Sequence, residues 1–204
     1  MRTGVLWMIL SLLLHLHVYG QERRHLIVPQ LDSLQTIVDG TAPDSIRMEA
    51  CKTFVSGISQ SENKEIIHYA DKGKALAKKL KNKHDELQFD YFKVVFYYHN
   101  WSLDTALLIN RYIRDKAIKT NESGLLQKTN RLLGDIFYRD NQYDSAMFYY
   151  QKGMSDEGTK EDVQQAFTMM AIADIYADQR KFEQAVQRFQ QAADMLKKLD
   201  SQKH

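Results

Sequence analysis

The chain has 204 residues, of which 44% are hydrophobic and 26% are charged, so it is long and apolar enough to build a globular core and does not resemble a disordered chain. The formal net charge of +2 argues against nucleic-acid binding by phosphate neutralisation, and the single cysteine excludes an intramolecular disulfide and a cysteine-built zinc site. Only two prolines, both before residue 44, favour helices over an all-β fold.

The first twenty residues have the pattern of a secretion signal. Arg2 supplies a positive charge, residues 5–14 form an apolar run, and Val18 and Gly20 are small enough for a cleavage site. We therefore expect a signal peptide over 1–20, an exported chain (periplasmic or secreted) that begins at Gln21, and no membrane span after cleavage. The alternative is an uncleaved segment that anchors the chain to a membrane, although a spanning helix needs about 20 apolar residues.

Residues 21–45 are predicted to be a lead-in with one short helix over 30–39, and residues 46–200 carry an internal repeat. The repeat is clearest at Ala106, Ala146 and Ala185, which recur at a period of about 40 residues and share their neighbouring residue types. Ile66 begins a weaker copy, one such period before Ala106. The sequence therefore predicts about four repeats of roughly 39–40 residues.

Each copy shows apolar residues at spacings of three and four, which is the period of an amphipathic helix. Residues 166–176 and 182–196 in the last copy each show one such stripe, so a copy is predicted to be a pair of helices. Residues 93–98 and 148–150 favour strands by composition alone. Their repeat position predicts helix instead, because the matching stretch 172–176 lies in a long helical pattern.

Small residues at matching repeat positions, such as Gly134 and Ala146, indicate that two helices cross closely there. The pattern resembles the tetratricopeptide repeat, whose signature is Trp-x2-Leu-Gly-x2-Tyr followed by Ala-x3-Phe and Pro. The matching residues are Leu133, Gly134, Phe137, Ala146 and Tyr150 in one copy and Ile172, Ala173, Tyr176, Ala185 and Phe189 in the next. The chain departs from the signature in lacking the closing proline and in its longer period, with the additional residues expected around 120–124 and 156–161.

The resemblance implies an all-α fold of the α-α superhelix type, in which antiparallel helix pairs stack into a solenoid. It also implies a non-catalytic scaffold or adaptor that binds a peptide or partner helix on its concave face, with no cofactor. The long repeats are similar to those of exported bacterial sensor and regulator proteins. The chain is therefore alternatively the sensory region of a membrane-bound signalling protein, such as a histidine kinase or transcriptional regulator, without its transmitter domain.

The resemblance also implies which side chains face the partner, because the first helix of each pair lines the concave face. The predicted partner-binding residues are Tyr91, Tyr98, Lys128, Arg131, Asp135, Tyr138 and Asp174. Tyrosine beside arginine suits a peptide-binding surface, since it combines contact area with bidentate donors. The alternative is that these tyrosines pack only against neighbouring helices. Asp135 and Asp174 disfavour a ligand that presents a terminal carboxylate.

No motif predicts catalysis or metal binding. The histidines are scattered without ligand spacing, and Cys51 is expected to be a small, half-buried residue of the first repeat. The lysines between 72 and 83 are expected to form a solvated helix face over a buried stripe of Ala75, Leu76, Ala77 and Leu80.

The last predicted helix carries Val186, Phe189, Ala193 and Leu196, and only five residues follow Leu199. Three explanations for this uncapped apolar helix stay open: the chain is shortened, it self-associates through that helix, or the helix tolerates exposure.

Overall fold

The computed structural model describes residues 31–59, 61–154 and 163–201, nearly all of them helical, with no strand among them. The predicted signal peptide at 1–20 lies outside the described residues. Helices that follow one another along the chain pack in pairs, so the predicted all-α class of paired helices is confirmed. The chain divides into two compact units, residues 1–89 and 90–204.

The first described helix, α1, covers 31–39 and corresponds to the predicted lead-in helix. The helices that follow are α2 Asp44–Ile58, α3 Glu65–Lys79, α4 Lys83–His99, α5 Leu103–Thr120, α6 Ser123–Arg139, α7 Tyr143–Met154, α8 Val163–Asp178 and α9 Phe182–Ser201. The strand-like stretches 93–98 and 148–150 lie inside α4 and α7, as their repeat positions predict.

The repeat is visible in where helices end and begin. The first helices of the pairs, α4, α6 and α8, end at His99, Arg139 and Asp178. Their partners α5, α7 and α9 begin at Leu103, Tyr143 and Phe182. Both series advance in the same steps as the repeat alanines, so the period of the sequence is also the period of the helix pairs.

Five turns between helices share one backbone geometry. A residue just past the end of each helix has a positive φ of 56–61°; these residues are Lys81, Trp101, Asn121, Asn141 and Arg180. The next residue donates its N–H to the carbonyl five positions earlier, for example Gln142 to Phe137 at 2.9 Å, and its own carbonyl accepts from the following helix. This bond closes a Schellman motif, which satisfies carbonyls at the end of a helix.

The same turn corrects one expectation about the additional residues. The longer period of the repeat predicts additional residues in a connection around 120–124, but only Asn121 and Glu122 separate α5 from α6. The left-handed backbone of Asn121 ends the helix at once, so the additional length lies in α5, which has 18 residues. The second expected location, 156–161, lies outside the described residues.

In the unit 1–89, α2 and α3 pack on a core that includes Cys51, Phe54 and Ile66. Gly73 lies against Phe89, and a Cβ at this glycine would come within 2.3 Å of the ring, so only glycine fits. The predicted stripe is partly wrong: Leu76 and Ala77 are buried, but Ala75 and Leu80 are exposed. The buried stripe of α3 also includes residues nearer the start of the helix: Ile66, Tyr69, Ala70 and Gly73.

In the unit 90–204, helices pack mainly on their neighbours in sequence: α5 on α6, α6 on α7, α7 on α8, and α8 on α9. The repeat alanines Ala106, Ala146 and Ala185 are all buried, as expected for positions where helices cross. Tyr150 lies against Gly134 and forms a buried cluster with Ile172 and Ile175 of α8. This cluster fixes the positions of α6, α7 and α8, which carry most of the predicted binding residues.

Candidate binding face

All seven predicted partner-binding residues lie in the unit 90–204. Tyr91 and Tyr98 lie on α4 and Asp174 on α8, while the other four lie on α6. Spacings of three and four place those four on one side of the helix. We call this surface the α6 face; its residues are Lys128, Arg131, Asp135 and Tyr138.

Asp135 is held largely inside the protein. Its Oδ1 accepts a hydrogen bond of 2.7 Å from the Tyr150 hydroxyl, and Nη2 of Arg131 lies 3.9 Å from its Oδ2. Burial raises the pKa of the Asp135 carboxyl, and the positive charge of Arg131 opposes this shift only in part. Burial also raises the pKa of Tyr150, whose hydroxyl therefore stays protonated as the donor. This contact joins α6 to α7, and Asp135 is already occupied by it.

Tyr138 joins α6 to α8. Its hydroxyl donates a hydrogen bond of 2.8 Å to Oδ2 of Asp178, and the hydroxyl of Tyr143 lies 3.5 Å from the same oxygen. Asp174 is exposed one turn before Asp178. Partial burial, and to a lesser extent the charge of Asp178, raise the pKa of Asp174. The α8 side of the surface therefore presents two carboxylates.

Tyr98 is covered by Arg139, a residue at the end of α6. The guanidinium carbon lies 3.8 Å from the centre of the Tyr98 ring and 4.5 Å from that of Trp101. Arg139 also donates a hydrogen bond of 2.7 Å to the backbone carbonyl of Tyr98. The pKa of Tyr91 is raised to about 12 by burial. Tyr98 therefore has packing contacts with α6, and both tyrosines of α4 are half-buried.

Lys128 and Arg131 border a cavity of about 130 Å³ between α6, α7 and α8. Its lining residues are Gly124, Gln127, Lys128, Arg131, Gly153, Gln164, Gln165 and Thr168. Lys128 is exposed, and Nη1 of Arg131 donates a hydrogen bond of 3.0 Å to Gln164. The buried Nε of Arg131 has no hydrogen-bond partner among the described residues. A buried donor without an acceptor costs about 1–3 kcal/mol, which an oxygen atom of a ligand would recover.

The cavity residues other than Lys128 and Arg131 are absent from the sequence-based prediction. Gln127 and Thr168 lie at helix positions that the family pattern does not assign to the partner. The one available signal is Gly153, which shares its repeat position with Gly73. A Cβ at Gly153 would lie 3.3 Å from the backbone nitrogen of Arg131, so this glycine lets α7 end close against α6.

The cysteine and the histidines of the described chain do not form a reactive or metal-binding group. Cys51 is fully buried rather than half-buried, and burial raises the pKa of its thiol to about 11, so it stays protonated near neutral pH. His68 is exposed beside Tyr69, and burial lowers the pKa of His99. No three His, Cys, Asp or Glu residues within 31–59, 61–154 and 163–201 are grouped to hold a metal ion.

No helix in the described part of the chain combines the length and the apolar character needed to cross a membrane. A comparison with models of protein families, with curated proteins and with solved structures finds no match in any of the three.

Proposed function

We propose that the chain is a non-catalytic interaction module of the tetratricopeptide-like type, which binds an extended segment of a protein partner along the α6 face. The observation that carries this proposal is the buried Nε of Arg131 beside the cavity, which has no hydrogen-bond partner within the described part of the chain. The surrounding side chains are already fixed by Tyr150, Asp178 and Gln164. A surface that is ordered before binding loses less conformational entropy when the partner arrives.

The charges of this surface specify the partner's chemistry. Lys128 and Arg131 lie beside the cavity, whose volume suits one side chain, so an Asp or Glu of the partner fits there. Asp174 and Asp178 lie on α8, and they would repel a second acidic residue placed against them. The partner segment therefore carries an acidic residue for the cavity and neutral or basic residues along α8.

Export of the chain supports an extracytoplasmic partner but remains a prediction from residues 1–20. The sensory region of a membrane signalling protein also remains a prediction from the sequence resemblance.

The proposal is tested by selecting peptides from a random library on the purified chain and measuring the affinity of the enriched peptides by fluorescence anisotropy. We expect the enriched peptides to share an Asp or Glu. Arg131→Ala should weaken their binding about tenfold or more, because a hydrogen bond to a charged group contributes about 1.5–3 kcal/mol. Arg111→Ala removes an exposed arginine from α5 and should leave the affinity unchanged.

Circular dichroism of both variants establishes that the helices are intact. Peptides that lack acidic residues, or that bind the Arg131 variant as tightly as the original chain, would rule out the cavity as the binding site.

A further inference from the structure

The last helix, α9, has more apolar surface than α8 covers. Ala185 and Ala192 are buried against α8, whereas Phe182 is 63% exposed and Val186 is 67% exposed. Phe189 is 37% exposed, and Ala193 is exposed as well. We call these four residues the α9 strip: Phe182, Val186, Phe189 and Ala193.

The α9 strip has the spacing of a helix that packs against another helix. Its residues follow at intervals of four, three and four, and the half-buried Leu196 continues the series after three more. This alternation is the heptad pattern of coiled-coil contacts, in which apolar residues of two helices interlock. Large apolar side chains in such a continuous row mark an interaction surface, whereas scattered ones do not.

The polar edge of the α9 strip indicates which partner helix fits it. Glu183, Gln190 and Lys197 are all exposed and recur at heptad spacing, each directly after an apolar residue of the series. The edge is therefore acidic at one end, neutral in the middle and basic at the other. In an antiparallel pair of α9 helices, Glu183 of each copy lies beside Lys197 of the other, which gives two opposite-charge pairs. The two Gln190 residues lie beside each other in the middle. A parallel copy would instead set Gln190 and Lys197 opposite Ala185 and Ala192 of the second copy, so it would form no such charge pair.

We propose that two copies of this chain associate through their α9 strips, with the two helices antiparallel. The pairing is isologous, because each copy offers the same residues to the other across a two-fold axis. It uses α9 only, so it is independent of the binding proposed for the α6 face.

Analytical ultracentrifugation of the purified chain at low salt, over a range of concentrations, tests the pairing. We expect a monomer–dimer equilibrium, which Val186→Glu abolishes because it places a charge in the middle of the strip. Leu108→Glu is the matched control, since Leu108 is 72% exposed on α5, and this change should leave the dimer intact. Circular dichroism should show the same helical spectrum for both variants.

Charge exchange tests the antiparallel register. Glu183→Lys alone and Lys197→Glu alone should each weaken the dimer about tenfold, because each turns two attractive pairs into repulsive ones worth up to about 1 kcal/mol apiece. The double variant restores both pairs and should regain the original affinity. High salt should reduce these differences.

A chain that stays monomeric at all concentrations would overturn the proposal. Association that Val186→Glu does not reduce would also overturn it, since that association would arise elsewhere, for example from the apolar residues 5–14. Loss of the dimer in the double charge variant would refute the antiparallel arrangement.

Discussion

Asp135 illustrates how one side chain joins several helices. It lies on α6, accepts a hydrogen bond from Tyr150 of α7, and has the guanidinium of Arg131 nearby. The folded protein nevertheless raises the pKa of this carboxyl, because the loss of solvation outweighs these favourable contacts. The charged form of Asp135 is therefore a cost to the folded state.

This cost predicts a pH dependence of stability. With a folded pKa above the ordinary value of 3.8, the folded state holds the Asp135 proton more tightly than the unfolded state, so stability decreases as the pH rises through that interval. We expect Asp135→Asn, which keeps an acceptor for Tyr150, to gain stability relative to the original chain as the pH rises from about 4 to 7. Urea unfolding of both proteins across this range measures the difference. A difference that shrinks with rising pH would mean that Arg131 and Tyr150 stabilise the carboxylate more than burial penalises it.

The spacing of Arg131 and Asp135 places them on one side of a helix but does not identify their partners. The Tyr150–Asp135 bond joins residues 15 apart on two helices, and the Tyr138–Asp178 bond joins residues 40 apart. Which hydroxyl meets which carboxylate depends on the angle and separation of the crossing helices. The periodicity of one sequence carries no information on either quantity.

Among the described glycines of the unit 90–204, Gly134 marks the closest approach of two helices, where α6 crosses α7. At Gly134 a Cβ would lie 2.4 Å from Cδ1 of Tyr150, well inside contact distance. Glycine is unfavourable within a helix by about 0.5–1 kcal/mol relative to alanine. This cost is offset because the Tyr150 ring is fully buried against the bare helix backbone.

We expect Gly134→Ala to lower the free energy of unfolding by about 1–3 kcal/mol, despite the higher helix propensity of alanine, because the new methyl group overpacks the crossing. Gly124→Ala is the matched control in the same helix, since nothing lies within 4 Å of a Cβ there, and it should be neutral or slightly stabilising. Chemical denaturation followed by circular dichroism compares the two. Equal stability of both variants would show that α7 shifts away from α6 at little cost.

Most of the helices could be predicted, because their apolar spacing and the repeat agree, and the repeat corrects the strand-like stretches in α4 and α7. The position at which α5 ends could not be predicted. Its end is set by the left-handed backbone at Asn121, and Lys81, Trp101 and Arg180 take the same conformation without any shared residue type. Ala75 and Leu80 are wrongly predicted to be buried in α3, because they are the same residue types as the neighbouring Ala77 and Leu76, which are buried.

At the scale of the whole molecule, the unit 90–204 is held together largely by contacts between successive helices. Within its described residues, α6 packs against α5, α7 and α8, whereas α9 packs against α8 alone. Stability in such an arrangement is approximately a sum of helix-pair terms and neighbour contacts, so helices with fewer neighbours open more readily.

Hydrogen exchange measures this difference directly. In a dilute sample, we expect backbone amides in the middle of α9 to exchange at least about tenfold faster than those in the middle of α6. Equal protection of the two helices at every dilution would show that the unit opens only as a whole. Increasing protein concentration should slow exchange in α9 selectively if its exposed strip pairs with a second copy.

The common backbone path of the five turns constrains how this chain can change in length. Each turn ends one helix and starts the next within a few positions, so an insertion of a single amino acid rotates everything that follows on that helix by about 100° and takes its apolar side out of contact. A tandem duplication of residues 103–142 instead adds two complete helices and the turn that follows each of them. The second copy then ends at the same turn residue as the first, so α7 follows it as before. Whole-block duplication is thus the mode of growth that this architecture tolerates, and its lineage should vary in length by whole repeats.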